Sequence, residues 1–70
     1  MMKLDWKDTE EIAIQLYEKE PSLNPLTLRF TDLRDKVMDL EEFVGRREDC
    51  NEGRLEAIQM AWLDEYQSNV

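Results

Sequence analysis

A chain with a single cysteine and no histidine has nothing to staple it. Cys50 alone closes no intramolecular disulfide, and without imidazoles or further thiols there is no zinc cage and no thiolate-held cluster. The fold must therefore rest on a hydrophobic core drawn from 70 residues. A chain of that size buries only about 60% of the surface its unfolded form exposes, so the core is small. Residues 1–70 make one domain and no more. Trp6, Tyr17, Phe30, Phe43, Trp62 and Tyr66 are more anchors than a disordered segment carries.

The apolar residues fall in helical stripes. Asp8 to Lys19 reads as a first helix, with Ile12, Leu16 and Ala13 on one face. Asp8 is placed to cap it, with Glu11 completing a capping box and Trp6 folding back over the first turn. Pro21 stops it, because the residue before proline avoids helical angles. Pro21 to Phe30 is a connection anchored by Leu23, Leu28 and Phe30, and Thr27-Leu28-Arg29-Phe30 alternates as a short extended segment does. Thr31 is the expected cap of a second helix whose Leu33, Val37 and Leu40 recur at i, i+4 and i+7. Glu41 to Asp49 reads as the helix end and a loop, with Phe43 folded inward and Gly45 marking a turn. Asn51 caps a third helix reaching about Glu65, with Leu55, Ile58 and Trp62 buried and Ala61 widening the stripe. The expected core is Trp6, Ile12, Leu16, Phe30, Leu33, Val37, Leu40, Leu55, Ile58 and Trp62. The fold class is mainly α: a small three-helix domain with at most short extended segments. A helix-turn-helix or winged-helix relative fits that outline.

Charge narrows what such a domain can do. Seventeen acids oppose nine bases, a net charge of −8. That field repels nucleic acid and anionic membranes and favours cations or basic protein surfaces, although acidity also serves solubility alone. No apolar run approaches the ~20 residues of a membrane span. The amino-terminal residues do not read as a signal sequence, and a chain without disulfides is expected in a reducing cytoplasm. Imidazole chemistry is excluded, and Ser22 and Ser68 have no base to activate them. Cys50 precedes a helix, but Glu48, Asp49 and Glu52 beside it in sequence oppose thiolate formation, so it reads as inert. A chain this short builds no deep cleft between paired carboxylates, so the expectation is a non-enzyme.

Three groups of carboxylates stand out. Asp32, Asp35 and Asp39 lie at i, i+3 and i+7 on the second helix, and Glu41 and Glu42 extend that surface. Hard oxygen ligands suit iron, manganese, calcium or magnesium, so these five are the candidate metal ligands. A straight helix does not wrap an ion, and a solvated acidic face is the commoner meaning of such spacing. Asp8, Glu10 and Glu11 complement the dipole at the start of the first helix. Asp64 and Glu65 stand near the end of the third, where the dipole disfavours acid, which hints at an external role.

Taken in order, the residues resemble one family. Trp6-Lys7-Asp8, Ile12, Leu16-Tyr17, Pro21, Leu23, Pro25, Thr27 and Arg29-Phe30-Thr31-Asp32-Leu33 are similar to the IscX family. So are Asp39-Leu40-Glu41 with Phe43, Asn51-Glu52, Leu55-Glu56-Ala57-Ile58 and Trp62-Leu63-Asp64-Glu65. The resemblance implies a modified winged helix and an accessory role in iron–sulphur cluster assembly. It implies binding to the pyridoxal-phosphate enzyme cysteine desulfurase in competition with frataxin, and weak, exchangeable iron binding with no bound cluster. It further implies a regulator of assembly or, alternatively, an iron donor; a winged-helix interaction module unrelated to iron is the remaining alternative, and a monomer is expected. Carried over by position, the partner-binding acids are Asp8, Asp32, Asp39, Glu41, Glu42, Asp64 and Glu65. The chain departs from the family at Val44-Gly45-Arg46-Arg47, where two bases stand in place of aspartates. That departure is expected to weaken the loop's part in binding.

Overall fold

The computed structural model describes residues 3–68. Three α-helices follow in order: α1, Thr9–Lys19; α2, Phe30–Met38; and α3, Glu52–Ser68. Short 3₁₀ turns, Pro25–Thr27 and Arg47–Asp49, interrupt the two connections. The domain is mainly α, as its stripes require. Among the described residues the extended content is a single parallel bridge between Leu4 and Phe43, and there is no two-stranded wing.

The stripes meet in one interior. Ile12, Ala13 and Leu16 of α1, Leu33 and Val37 of α2, and Leu55, Ile58 and Trp62 of α3 are buried. Leu4, Trp6 and Leu40 join them from outside the helices. Each fully buried side chain of this size contributes about 1.5–3 kcal/mol. The broadest helix–helix contact is α1 against α3. Phe30, expected in the core, is instead half-buried at its edge, because it opens α2 a turn ahead of Leu33.

Several local expectations give way to competing bonds. Asp8 precedes α1 but forms no capping box: its carboxylate accepts the Asp5 N–H at 3.0 Å and caps nothing in the helix. Asp5 in turn accepts the Lys7 N–H at 2.9 Å, closing a compact turn. The Thr27–Phe30 segment is not a strand. Asn24 accepts the Leu26 N–H at 3.0 Å and Pro25 fixes the next φ, so the chain coils into a 3₁₀ turn. Only Leu28 and Arg29 remain extended, and Arg29 rather than Thr31 precedes α2. That helix ends at Met38, and Leu40 reaches the core from the following turn, its N–H bonded to the Val37 carbonyl at 3.1 Å. Asn51 does cap α3, accepting the Arg54 N–H at 2.9 Å, and the helix runs beyond Glu65 to Ser68.

One corner ties the amino-terminal segment to the loop after α2. The Leu4 N–H donates to the Glu42 carbonyl at 2.8 Å, and the Val44 N–H donates to the Leu4 carbonyl at 2.7 Å. The Trp6 indole donates to the Arg46 carbonyl at 2.6 Å. Its ring meets Phe43 edge-on, centroids 4.8 Å apart. Gly45 sits against this pair: a Cβ there would lie 2.5 Å from Phe43 Cζ and 3.0 Å from Trp6 Cδ1. Its φ is not positive, so closeness rather than a left-handed turn demands glycine.

Candidate functional site

The helices carry the carboxylates outward and sort them into three places. Asp32 and Asp35 stand exposed on α2, and Asp39 follows its last turn. Lys19 Nζ donates to Asp39 Oδ2 at 3.3 Å, and Arg34 lies 3.6 Å from Asp35. Lys36 pairs with Glu20 at 2.8 Å on the same side of the molecule. Glu41 and Glu42 border an open groove of about 420 Å³ with Glu18 and Lys19. This face is acidic but threaded with bases.

Among the described residues no three Asp, Glu or Cys side chains are grouped so as to hold a metal ion. The five candidate ligands therefore do not fit a closed cage. They form a diffuse field in which water would complete any coordination sphere.

Asp8 belongs to the turn with Asp5, where its carboxylate has a structural task. Asp64 and Glu65 lie on α3, beside Glu10 of α1. These three carboxylates line an open groove of about 360 Å³ together with Ile14, Met60 and Ala61. Glu10 is the residue that sequence reasoning undervalued. Its place at the start of α1 explains it as a dipole partner, and only the packing of α1 on α3 brings it to Asp64 and Glu65.

Arg34, Arg47 and Arg54 lie close enough to Cys50 to act on its thiol. Burial pushes the half-buried Cys50 thiol above its ordinary pKa, while Arg34, Arg47 and Arg54 pull the other way. The thiol is held neutral as expected, but by desolvation and not by neighbouring carboxylates. Arg46 donates to Glu48 at 2.8 Å and lowers its pKa, so one of the two loop arginines is already engaged. Arg34 Nε is buried with no hydrogen-bond partner among the described residues.

Among the described residues no helix is long and apolar enough to cross a membrane. The profile of the family described as iron–sulphur cluster assembly matches residues 4–67. An uncharacterized protein of Pseudomonas aeruginosa is 47% identical over 64 residues, covering 91% of this chain and 97% of that protein. The chain belongs to the iron–sulphur cluster assembly family, the IscX family of the resemblance.

Proposed function

We propose that this member of the iron–sulphur cluster assembly family is a non-enzymatic accessory protein. It binds cysteine desulfurase through its acidic surface and holds iron weakly and exchangeably. The observation that carries the reading is a net charge of −8 displayed on exposed carboxylates that neither line a deep cleft nor close into a cage. Such a surface is suited to finding and orienting a basic protein patch, since complementary charge raises encounter rates and selects partners. A single cysteine held neutral and the absence of histidine give no support to covalent or imidazole chemistry.

Iron enters as cargo. Asp32, Asp35, Asp39, Glu41 and Glu42 are the residues that would hold it. Lys19 already neutralises Asp39, which lowers the pull of that face on a cation. Sharing a desulfurase surface with frataxin would let the protein regulate assembly without touching a reaction intermediate.

Calorimetry of the protein into cysteine desulfurase, with and without ferrous iron, tests the reading. The expected result is binding without metal that weakens as salt rises, because the screening length falls to about 8 Å at physiological ionic strength. Binding that requires iron would favour an iron donor, and binding indifferent to salt would remove the electrostatic basis.

A further inference from the structure

The amino-terminal segment directs its bonds at one loop. Both main-chain groups of Leu4 go there: its N–H donates to the Glu42 carbonyl, and its carbonyl accepts the Val44 N–H. The Trp6 indole reaches further along the same loop and donates to the Arg46 carbonyl. Leu4 is 1% exposed and Trp6 3%, so both anchors are set in the core. Behind them the Asp8 carboxylate accepts the Asp5 N–H, and the Asp8 N–H donates to the Asp5 carbonyl at 3.0 Å. That turn fixes the segment to the start of α1. Residues 4–8 thus form a strap from α1 to the loop after α2.

The loop has little else to hold its main chain. Among the described residues its other backbone bonds run from the Phe43 N–H to the Leu40 carbonyl and from the Asp49 N–H to the Arg46 carbonyl, each 3.1 Å. Phe43 and Gly45 lie against Trp6, and between them Val44 is 58% exposed. Glu41 and Arg46 are exposed too, and Glu42 is half-buried. The strap therefore fixes a main chain whose charged side chains are left to solvent. Such fixing bears on docking. A mobile loop must be ordered as its partner binds, and that ordering subtracts from affinity. A loop in its docking posture for part of the time binds with an affinity reduced by that fraction.

We infer that the strap positions the loop after α2 for docking, with Leu4 and Trp6 as positioning residues that do not touch the partner. The inference rests on the desulfurase reading: Glu41 and Glu42 are the carboxylates the strap presents, and the partner meets them in one fixed place. Asp8 then acts behind the interface, holding the strap to α1.

The test reads desulfurase affinity and Val44 amide exchange on the same variants. Trp6→Phe keeps a ring against Phe43 and removes the indole donor, whereas Leu4→Ala removes the buried anchor. The tied fraction, taken from Val44 protection, should predict the loss of affinity: about threefold for Trp6→Phe and about tenfold for Leu4→Ala. Ile58→Val, a core change in α3, should leave both readings unchanged. Glu41→Gln with Glu42→Gln should weaken binding on its own, and Leu4→Ala added to it should weaken binding little further, because strap and carboxylates act through each other. If Leu4→Ala does not fold, Trp6→Phe on the same neutralised loop carries the comparison. Lost Val44 protection with unchanged affinity, or a strap effect that persists in full on the neutralised loop, would overturn the inference while the desulfurase reading stands. So would Val44 protection retained in both strap variants, or an equal loss of affinity in Ile58→Val. Failure of the unmodified protein to bind desulfurase would overturn that reading, and the docking role of the strap with it.

Discussion

Trp62 offers a test in which two effects oppose each other. Among the described residues it is the largest fully buried side chain, with 0% exposure, yet its indole N–H finds no acceptor there. A buried donor left unsatisfied costs about 1–3 kcal/mol. Trp62→Phe removes that donor and keeps an aromatic ring. It also removes part of the side chain, and the resulting cavity costs about 1–2 kcal/mol by comparison with other large-to-small core changes. The two nearly cancel, so the variant should lie within about 1 kcal/mol of the unmodified protein. For a domain of this size that is a shift in Tm of at most about 8 °C. Trp62→Ala relieves the same donor but forfeits the ring, and should fall about 3–5 kcal/mol below Trp62→Phe. A 70-residue domain has about 4–10 kcal/mol in all, so the alanine variant stands near unfolding. Urea titration followed by far-ultraviolet circular dichroism reads both variants on one scale. A loss of more than about 2 kcal/mol in Trp62→Phe would refute the unpaired donor, since only a lost hydrogen bond would make the indole N–H so valuable.

Other expectations follow from the same geometry. Gly45→Ala should destabilise by about 1–3 kcal/mol, because the new methyl meets Phe43 and Trp6; an unchanged urea midpoint would mean the aromatic corner yields freely. Leu4→Ala should cost about 2–5 kcal/mol although it lies outside every helix, and native-state hydrogen exchange should show the Val44 amide losing protection. Cys50 has a raised pKa when folded, so its contribution to stability is complete below the unfolded thiol's pKa of about 8.5. It is lost as pH rises through the folded value, and denaturation of Cys50→Ser across that range should lack this decline. Ferrous iron should bind no more tightly than about micromolar and give way to zinc or copper. Calorimetry showing nanomolar affinity, or no change on Asp32→Asn with Asp39→Asn, would remove iron from that face.

What the sequence disclosed was what local periodicity and short-range bonding determine. The stripes of α1, α2 and α3 are readable because helical neighbours are three and four residues apart, and the Asn51 cap is readable because it reaches only to Arg54. Asp8 misled because Asp5, three residues earlier, competes for the same carboxylate. Leu4 was unreadable as core, since its burial depends on Glu42 and Val44. Trp6 likewise finds its acceptor at Arg46, 40 residues away. The candidate site divides in the same manner. Acids misplaced with respect to the helix dipole pointed to Asp64 and Glu65, whereas Glu10 joins them only through tertiary packing. Lys19, which neutralises Asp39, is 20 residues from it and carries no sequence signal.

The central claim is that a basic protein surface, and not nucleic acid, is what this acidic domain recognises. The most direct measurement is an NMR titration of isotope-labelled protein with cysteine desulfurase, with duplex DNA and ferrous iron added to separate samples. Desulfurase should perturb the resonances of exposed carboxylates such as Asp32, Asp39, Glu41 and Asp64, with all effects fading as salt is raised. Iron should broaden the α2 carboxylate region and leave the α1–α3 groove unaffected, and DNA should perturb neither. Shifts produced by DNA, or a spectrum unmoved by desulfurase at low salt, would contradict the account.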